Sequence, residues 1–199
     1  MSATSDTASV GGGPRLERLF RLIATVWCGS QWAIGYIVAP TLFAVLESRM
    51  VAGTVAGRLF HTQAWLSLVC GVLLVWLATA LISRTAEASV ARSYRVLRWL
   101  AVAMMVCVLI SSFGLQPFMA SLRAQAEAAG VDIGQSAYAA RFGMLHGISS
   151  GIYLLQSLLG IALIWRQPVR GEMPQSVANV ASAANTTGGA TAAGNRPTP

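Results

Sequence analysis

Four charge-free apolar runs constrain this chain more than any other feature it has. They are Leu22–Leu46, Leu59–Ser83, Trp99–Leu122 and Phe142–Trp165, of 25, 25, 24 and 24 residues. At ~1.5 Å of rise per helical residue, each is longer than the ~30 Å hydrocarbon core of a bilayer. The predicted fold is therefore all-α: an integral membrane four-helix bundle occupying residues 15–166, with helices over about 19–46, 58–83, 96–122 and 140–165. Residues 1–14 and 167–199 are poor in bulky apolar side chains and read as disordered tails.

Charge is scarce and confined to the ends of these runs. Only 11% of the residues are charged, against roughly 25% in an ordinary soluble domain. All 14 basic residues are arginines, and the net charge is +7. No basic patch interleaved with aromatics stands outside the apolar runs, so the basic balance reads as membrane orientation and not as nucleic-acid binding. Nine arginines (Arg15, Arg18, Arg21, Arg84, Arg92, Arg95, Arg98, Arg166 and Arg170) fall on one side of the bundle, and four (Arg49, Arg58, Arg123 and Arg141) on the other. The richer side is expected to be cytoplasmic, with both termini inside, in a bacterial inner membrane. The first run is too long for a signal peptide and lacks a small-x-small cleavage site. Trp27 stands where a lipoprotein signal before Cys28 needs a small residue. Cys28, Cys70 and Cys107 lie inside apolar runs without CxxC spacing, which makes them small hydrophobes.

The fourth run carries a pattern of its own. On a helical wheel His146, Ser150, Tyr153, Ser157 and Gly160 share one face, and Gly143, Gly147 and Gly151 stack beside them. Leucine and isoleucine fill the opposite, lipid-facing side. Small residues four apart let helix backbones approach, so the glycine ridge is expected to mark the closest packing in the bundle. The two hairpins also echo one another. Pro40 and Pro117 each sit late in an outgoing helix, and Arg58 with His61, like Arg141 with His146, stands early in the returning one. That is the pattern of a parallel internal repeat.

The segments Trp27–Trp32, Val38–Phe43, Leu115–Phe118 and Arg141–Ser150 resemble the bacterial branch of the transmembrane-protein-205-like family, also called domain of unknown function 4149. The resemblance covers about residues 16–166. It implies a small four-helix inner-membrane protein, with eukaryotic relatives loosely tied to drug and metal-drug resistance. It implies no reaction and no catalytic residues.

Intramembrane polar groups are the chemical material the chain offers. His61, Gln116 and His146 reach similar shallow depth below the arginine-poor surface, so they are expected to form one polar cluster in the outer leaflet. Arg58 and Arg141 would rim it, and Gln31 would continue it deeper. Against this stands the simpler expectation that each group satisfies itself separately, with the arginines snorkelling to headgroups. His61 and His146 on different helices also meet the minimum for haem ligation. The three cysteines with Met104, Met105, Met119 and Met144 would suit a soft metal. There is no HExxH, no GxSxG, no glycine-rich phosphate loop and no carboxylate within the runs, so an enzyme is not expected. Three functions remain: a small transport-like or resistance-related component, a haem- or metal-binding bundle, and a non-catalytic accessory protein. The partners expected are the lipid bilayer and either a second copy or another membrane protein. Alkaline phosphatase fused after Arg166 is expected to be inactive in cells, and an active fusion would overturn the orientation.

Overall fold

The computed structural model describes residues 13–168, and over them the chain is four long helices in up-down-up-down order. They are α1 (Gly13–Val45), α2 (Arg49–Arg84), α3 (Ala88–Ala128) and α4 (Ala139–Trp165). Each is long and apolar enough to cross a bilayer, and among the described residues there is no strand. This is the architecture of a multi-pass membrane protein. Each helix packs on the next, and α4 closes the ring on α1. The tails expected at 1–14 and 167–199 lie outside the described residues, except for Gly13 and Pro14, which open α1, and Gln167 and Pro168. Proline in a first turn costs nothing, since its missing N–H would have no helical partner there.

The connections are shorter than the sequence pattern indicates. Ser48 caps α2 by accepting a hydrogen bond from the Val51 amide at 3.4 Å, so the helix begins at Arg49 and not near Arg58. Gly53 and Gly57 resemble loop residues but lie inside α2, where a glycine costs only ~1 kcal/mol. The basic stretch from Arg84 to Arg98 holds a turn of only three residues, Thr85 to Glu87, and its arginines mostly belong to the first turns of α3. At the other end α3 runs on to Ala128 and stops in a Schellman motif. The Val131 amide bonds the Ala126 carbonyl at 3.1 Å, the Gly130 amide bonds the Glu127 carbonyl at 2.9 Å, and Gly130 takes φ 69°.

Two helices widen part-way along. Ala33–Val38 in α1 and Ile110–Leu115 in α3 are π-helical, closed by Ala39 N–H on the Ile34 carbonyl and Gln116 N–H on the Ser111 carbonyl. The next residue in each case is a proline, Pro40 or Pro117. Proline lacks an amide hydrogen and its ring crowds the carbonyl four residues back, so a wider turn relieves the clash. Helix, π turn, proline, then a return without a π turn is the layout of both hairpins, which gives their sequence likeness a structural counterpart.

Packing divides the bundle into two halves. Phe20, Trp27, Leu74, Leu77, Leu97, Met104 and Leu163 are among the buried residues of one dry core at the end that holds the termini. Toward the other end the core gives way to a cavity. Of the α4 glycines, the one closely approached is Gly160 in the dry half, where a Cβ would lie 3.1 Å from Cys28 Sγ. Gly143, Gly147 and Gly151 do not supply the close contact expected of them: all three are exposed, and a Cβ on any would meet nothing within 4 Å. Tyr153, Gln156 and Ser157 are the residues that turn toward α1, and the ridge lies on the arc beside them. Gly160→Leu is expected to destabilise the bundle by about 1–3 kcal/mol through overpacking, at roughly 2–4 °C of melting temperature per kcal/mol. Gly147→Leu should leave the melting temperature in detergent nearly unchanged, and equal losses in the two variants would reject this packing.

Candidate functional site

The cavity has a volume of about 770 Å³ and draws its walls from all four helices. Its residues begin where the dry core ends on each helix: after Cys28 on α1, before Cys70 on α2, after Met104 on α3 and before Leu163 on α4. The π turns flank this level, Gly35 and Tyr36 from one and Ser111 and Ser112 from the other. The paired π turns, each followed by a proline, interrupt the regular α-helix of α1 and α3 at the level where the core gives way to the cavity.

The deep end of the cavity is polar and uncharged. Gln31 is 1% exposed, and its side-chain oxygen accepts from Gln156 Nε2 at 2.9 Å while its carbonyl accepts from the Tyr153 hydroxyl. Gln63 Nε2 donates to Ser30 Oγ at 3.0 Å and reaches Ser67 Oγ at 3.5 Å. Tyr36 donates to Ser157 Oγ at 3.0 Å. Above this floor Tyr36 and Phe60 meet the Tyr153 ring edge to face, with centroids 5.8 and 5.9 Å away. Gly35 is required beneath Tyr153, since a Cβ there would collide with its ring. Two groups of this wall stay unpartnered: Gln31 Nε2 and Ser111 Oγ are buried without a hydrogen bond. Each such group costs about 1–3 kcal/mol when left unsatisfied.

Near the connecting loops the cavity holds one half-buried cation. Arg123 lies over the Phe142 ring at 5.2 Å and donates from Nη1 to the Gly53 carbonyl at 3.3 Å. Gly57 lies beside the guanidinium, where a Cβ would stand in ordinary contact 3.4 Å from Nη1. Arg123 is a half-buried charged residue of the wall that sequence reasoning missed, as it missed Arg49, Glu127 and Asp132. The available signal for Arg123 was its place, an arginine that directly ends the third apolar run.

Of the residues grouped from sequence, the structure brings Gln31, Gln116 and His146 to this cavity. His146 stacks on Phe142 with centroids 6.1 Å apart and planes 5° from parallel. It does not bring His61, Arg58 or Arg141 there. Successive residues turn ~100° around a helix, so with Phe60 and Phe142 facing in, His61 and Arg141 are carried out. His61 is exposed and its Nε2 accepts from the Trp65 indole at 3.2 Å. Arg58 and Arg141 are also exposed. The two imidazoles thus occupy different surroundings and form no shared site for haem iron. Among the described residues no three His, Cys, Asp or Glu side chains converge as metal ligands would. Cys28 and Cys70 belong to the dry core, and Met144 is 62% exposed. Sequence reasoning also passed over Glu17, which is buried at the start of α1 and lies 3.9 Å from Arg21.

No curated protein and no solved structure matches this chain. One family does: the model described as a domain of unknown function, DUF4149, covers residues 22–128, from α1 through to the end of α3. With more than half of its length matched, including most of α1 and all of α2 and α3, the chain belongs to the DUF4149 family.

Proposed function

We propose that this protein is a small transport-like membrane component, non-enzymatic and related to resistance, that takes its ligand into the cavity. The observation that carries the reading is the pair of unpartnered buried groups, Gln31 Nε2 and Ser111 Oγ, on the wall of a 770 Å³ intramembrane cavity. Ligand sites are concavities of ~300–1,000 Å³ with mostly apolar walls and a few placed polar groups. This wall has that composition. Its aromatic and aliphatic surface surrounds amide, hydroxyl and imidazole groups, and no carboxylate stands at its deep end to act as an acid or base.

The arginine distribution supports placement in a bacterial inner membrane with both termini cytoplasmic, and the quoted sequence segments support the bacterial branch of the transmembrane-protein-205-like group. On that orientation the cavity opens outward. The dry half blocks its inner end with Phe20, Trp27 and Leu74, each at most 1% exposed. Passage across the membrane would then need a second conformation, or a second copy or another membrane protein in contact with this one.

Two measurements test the reading. A cysteine at Ser150→Cys, on the cavity wall, is expected to react with a charged, water-soluble thiol reagent. Ile161→Cys, exposed on the outer surface of α4, should stay unreactive in the membrane. In a deletion strain tested across amphiphilic drugs and metal salts, the wild-type chain should restore tolerance. The double variant Gln31→Leu, Gln156→Leu should fail to do so at equal membrane abundance. An unlabelled Ser150→Cys, or full complementation by the double variant, would overturn the proposal.

A further inference from the structure

We infer that Arg123 is the headgroup anchor of an anionic amphiphile, one with phosphate or carboxylate oxygens on an alkyl chain, which enters the cavity sideways from the bilayer. The inference rests on reading the cavity as a ligand site and names the class of ligand. Arg123 is half-buried near the end of a membrane-length helix, yet among the described residues no carboxylate lies within 4.0 Å of it. A guanidinium carries five donors in a planar fork suited to two acceptor oxygens at once. In this state one bond to the Gly53 carbonyl and the face of Phe142 are all that engage it. A charge removed from water is held with its partners or at high cost, and an anionic headgroup supplies the missing partner.

The other charged wall residues do not cancel this preference. Glu127 is exposed four residues beyond Arg123 and Arg49 is exposed across the cavity on α2, while Asp132, half-buried in the following loop, makes no ion pair with Arg123. Exposed charges are screened within about a Debye length, whereas a partly buried one is screened much less. Asp132 stands on the loop beyond the helix ends, so between the helices Arg123 is the half-buried charge and sets the sign that a ligand meets there.

The lateral route follows from how the helices pair. The first part of α1 packs along the second half of α4, but beyond the π turn Ala39–Val45 packs chiefly on α2 and on the π turn itself. At that level the wall between α1 and α4 consists of side chains: Tyr36, Pro40 and Phe43 on one lip, Ser150 and Leu154 on the other. Tyr36, Phe43 and Leu154 are 52%, 51% and 55% exposed while also lining the cavity. An alkyl chain lying across these lips stays in an apolar setting while its head reaches Arg123. A free soluble anion would have no use for them.

The test uses the full chain in phosphatidylcholine nanodiscs and an alkyl phosphate carrying a diazirine midway along its chain. Photolysis is expected to place adducts on the lip segments holding Tyr36, Pro40, Phe43 and Leu154. An excess of dodecyl phosphate should remove them and inorganic phosphate should not. Arg123→Gln should lower lip labelling about tenfold, from the loss of a charge-assisted pair, and Arg123→Lys should retain part of it. An analogue with a trimethylammonium head should label the lips no more than the outer surface around Val72 and Trp76. If Arg123→Gln fails to fold, Leu154→Trp provides the second arm, because narrowing the lips should reduce labelling with the arginine intact. Wild-type labelling in both variants, equal lip labelling by the cationic analogue, or competition by inorganic phosphate would overturn the inference. Should that happen while Ser150→Cys remains water-accessible, the ligand class fails and the cavity reading stands.

Discussion

Two prolines inside membrane-length helices set the conditions for everything else in this bundle. In hydrocarbon each unsatisfied backbone group costs several kcal/mol, so a helix cannot simply break at Pro40 or Pro117. It widens instead, and the π turns at Ala33–Val38 and Ile110–Leu115 keep the closing amides of Ala39 and Gln116 bonded. Because both distortions fall on outgoing helices at matching positions, the bundle opens at one end only. The dry half, where Gly160 meets Cys28, is the half in which all four helices are regular α.

How far the sequence could be read follows from the kind of signal each feature carries. Span number and helical class depend on charge-free length, a property summed over two dozen residues, and were legible. Helix limits depend on single residues. Gly53 and Gly57 read as loop because glycine disfavours helix, yet both lie inside α2, and the Gly53 carbonyl accepts the Arg123 hydrogen bond. The candidate site was legible in part. Gln31, Gln116 and His146 reach the cavity because their helical phase agrees with the packed face. His61 and Arg141 were chosen by depth alone, and a shift of one residue around a helix separates them from Phe60 and Phe142, which face inward. Depth is readable from distance to a run's end, but phase depends on which neighbour a helix meets.

The π turns also explain why the glycine ridge of α4 misled. Small-xxx-small spacing shows where a backbone could be approached, not whether a partner helix arrives. Beyond Pro40 α1 packs chiefly on α2, Tyr153 and Ser157 make the contact with α1, and Gly143, Gly147 and Gly151 are left on the outer arc.

The magnitudes decide whether the polar floor is there for stability. Four hydrogen bonds cross between helices at this level: Tyr36 to Ser157, Gln63 to Ser30, Tyr153 to Gln31, and Gln156 to Gln31. At ~0.6 kcal/mol each, the average for such bonds in a membrane, they contribute about 2–3 kcal/mol. Gln31 Nε2 and Ser111 Oγ are buried without partners, and at about 1–3 kcal/mol apiece they offset most or all of that gain. Aliphatic residues of similar size would pack the same level at no such cost, as Leu74 and Leu163 do about two turns deeper. A polar floor that stabilises nothing on balance, under a cavity at the level of two distorted helices, is not accounted for by packing, and that is what the proposed ligand site would explain.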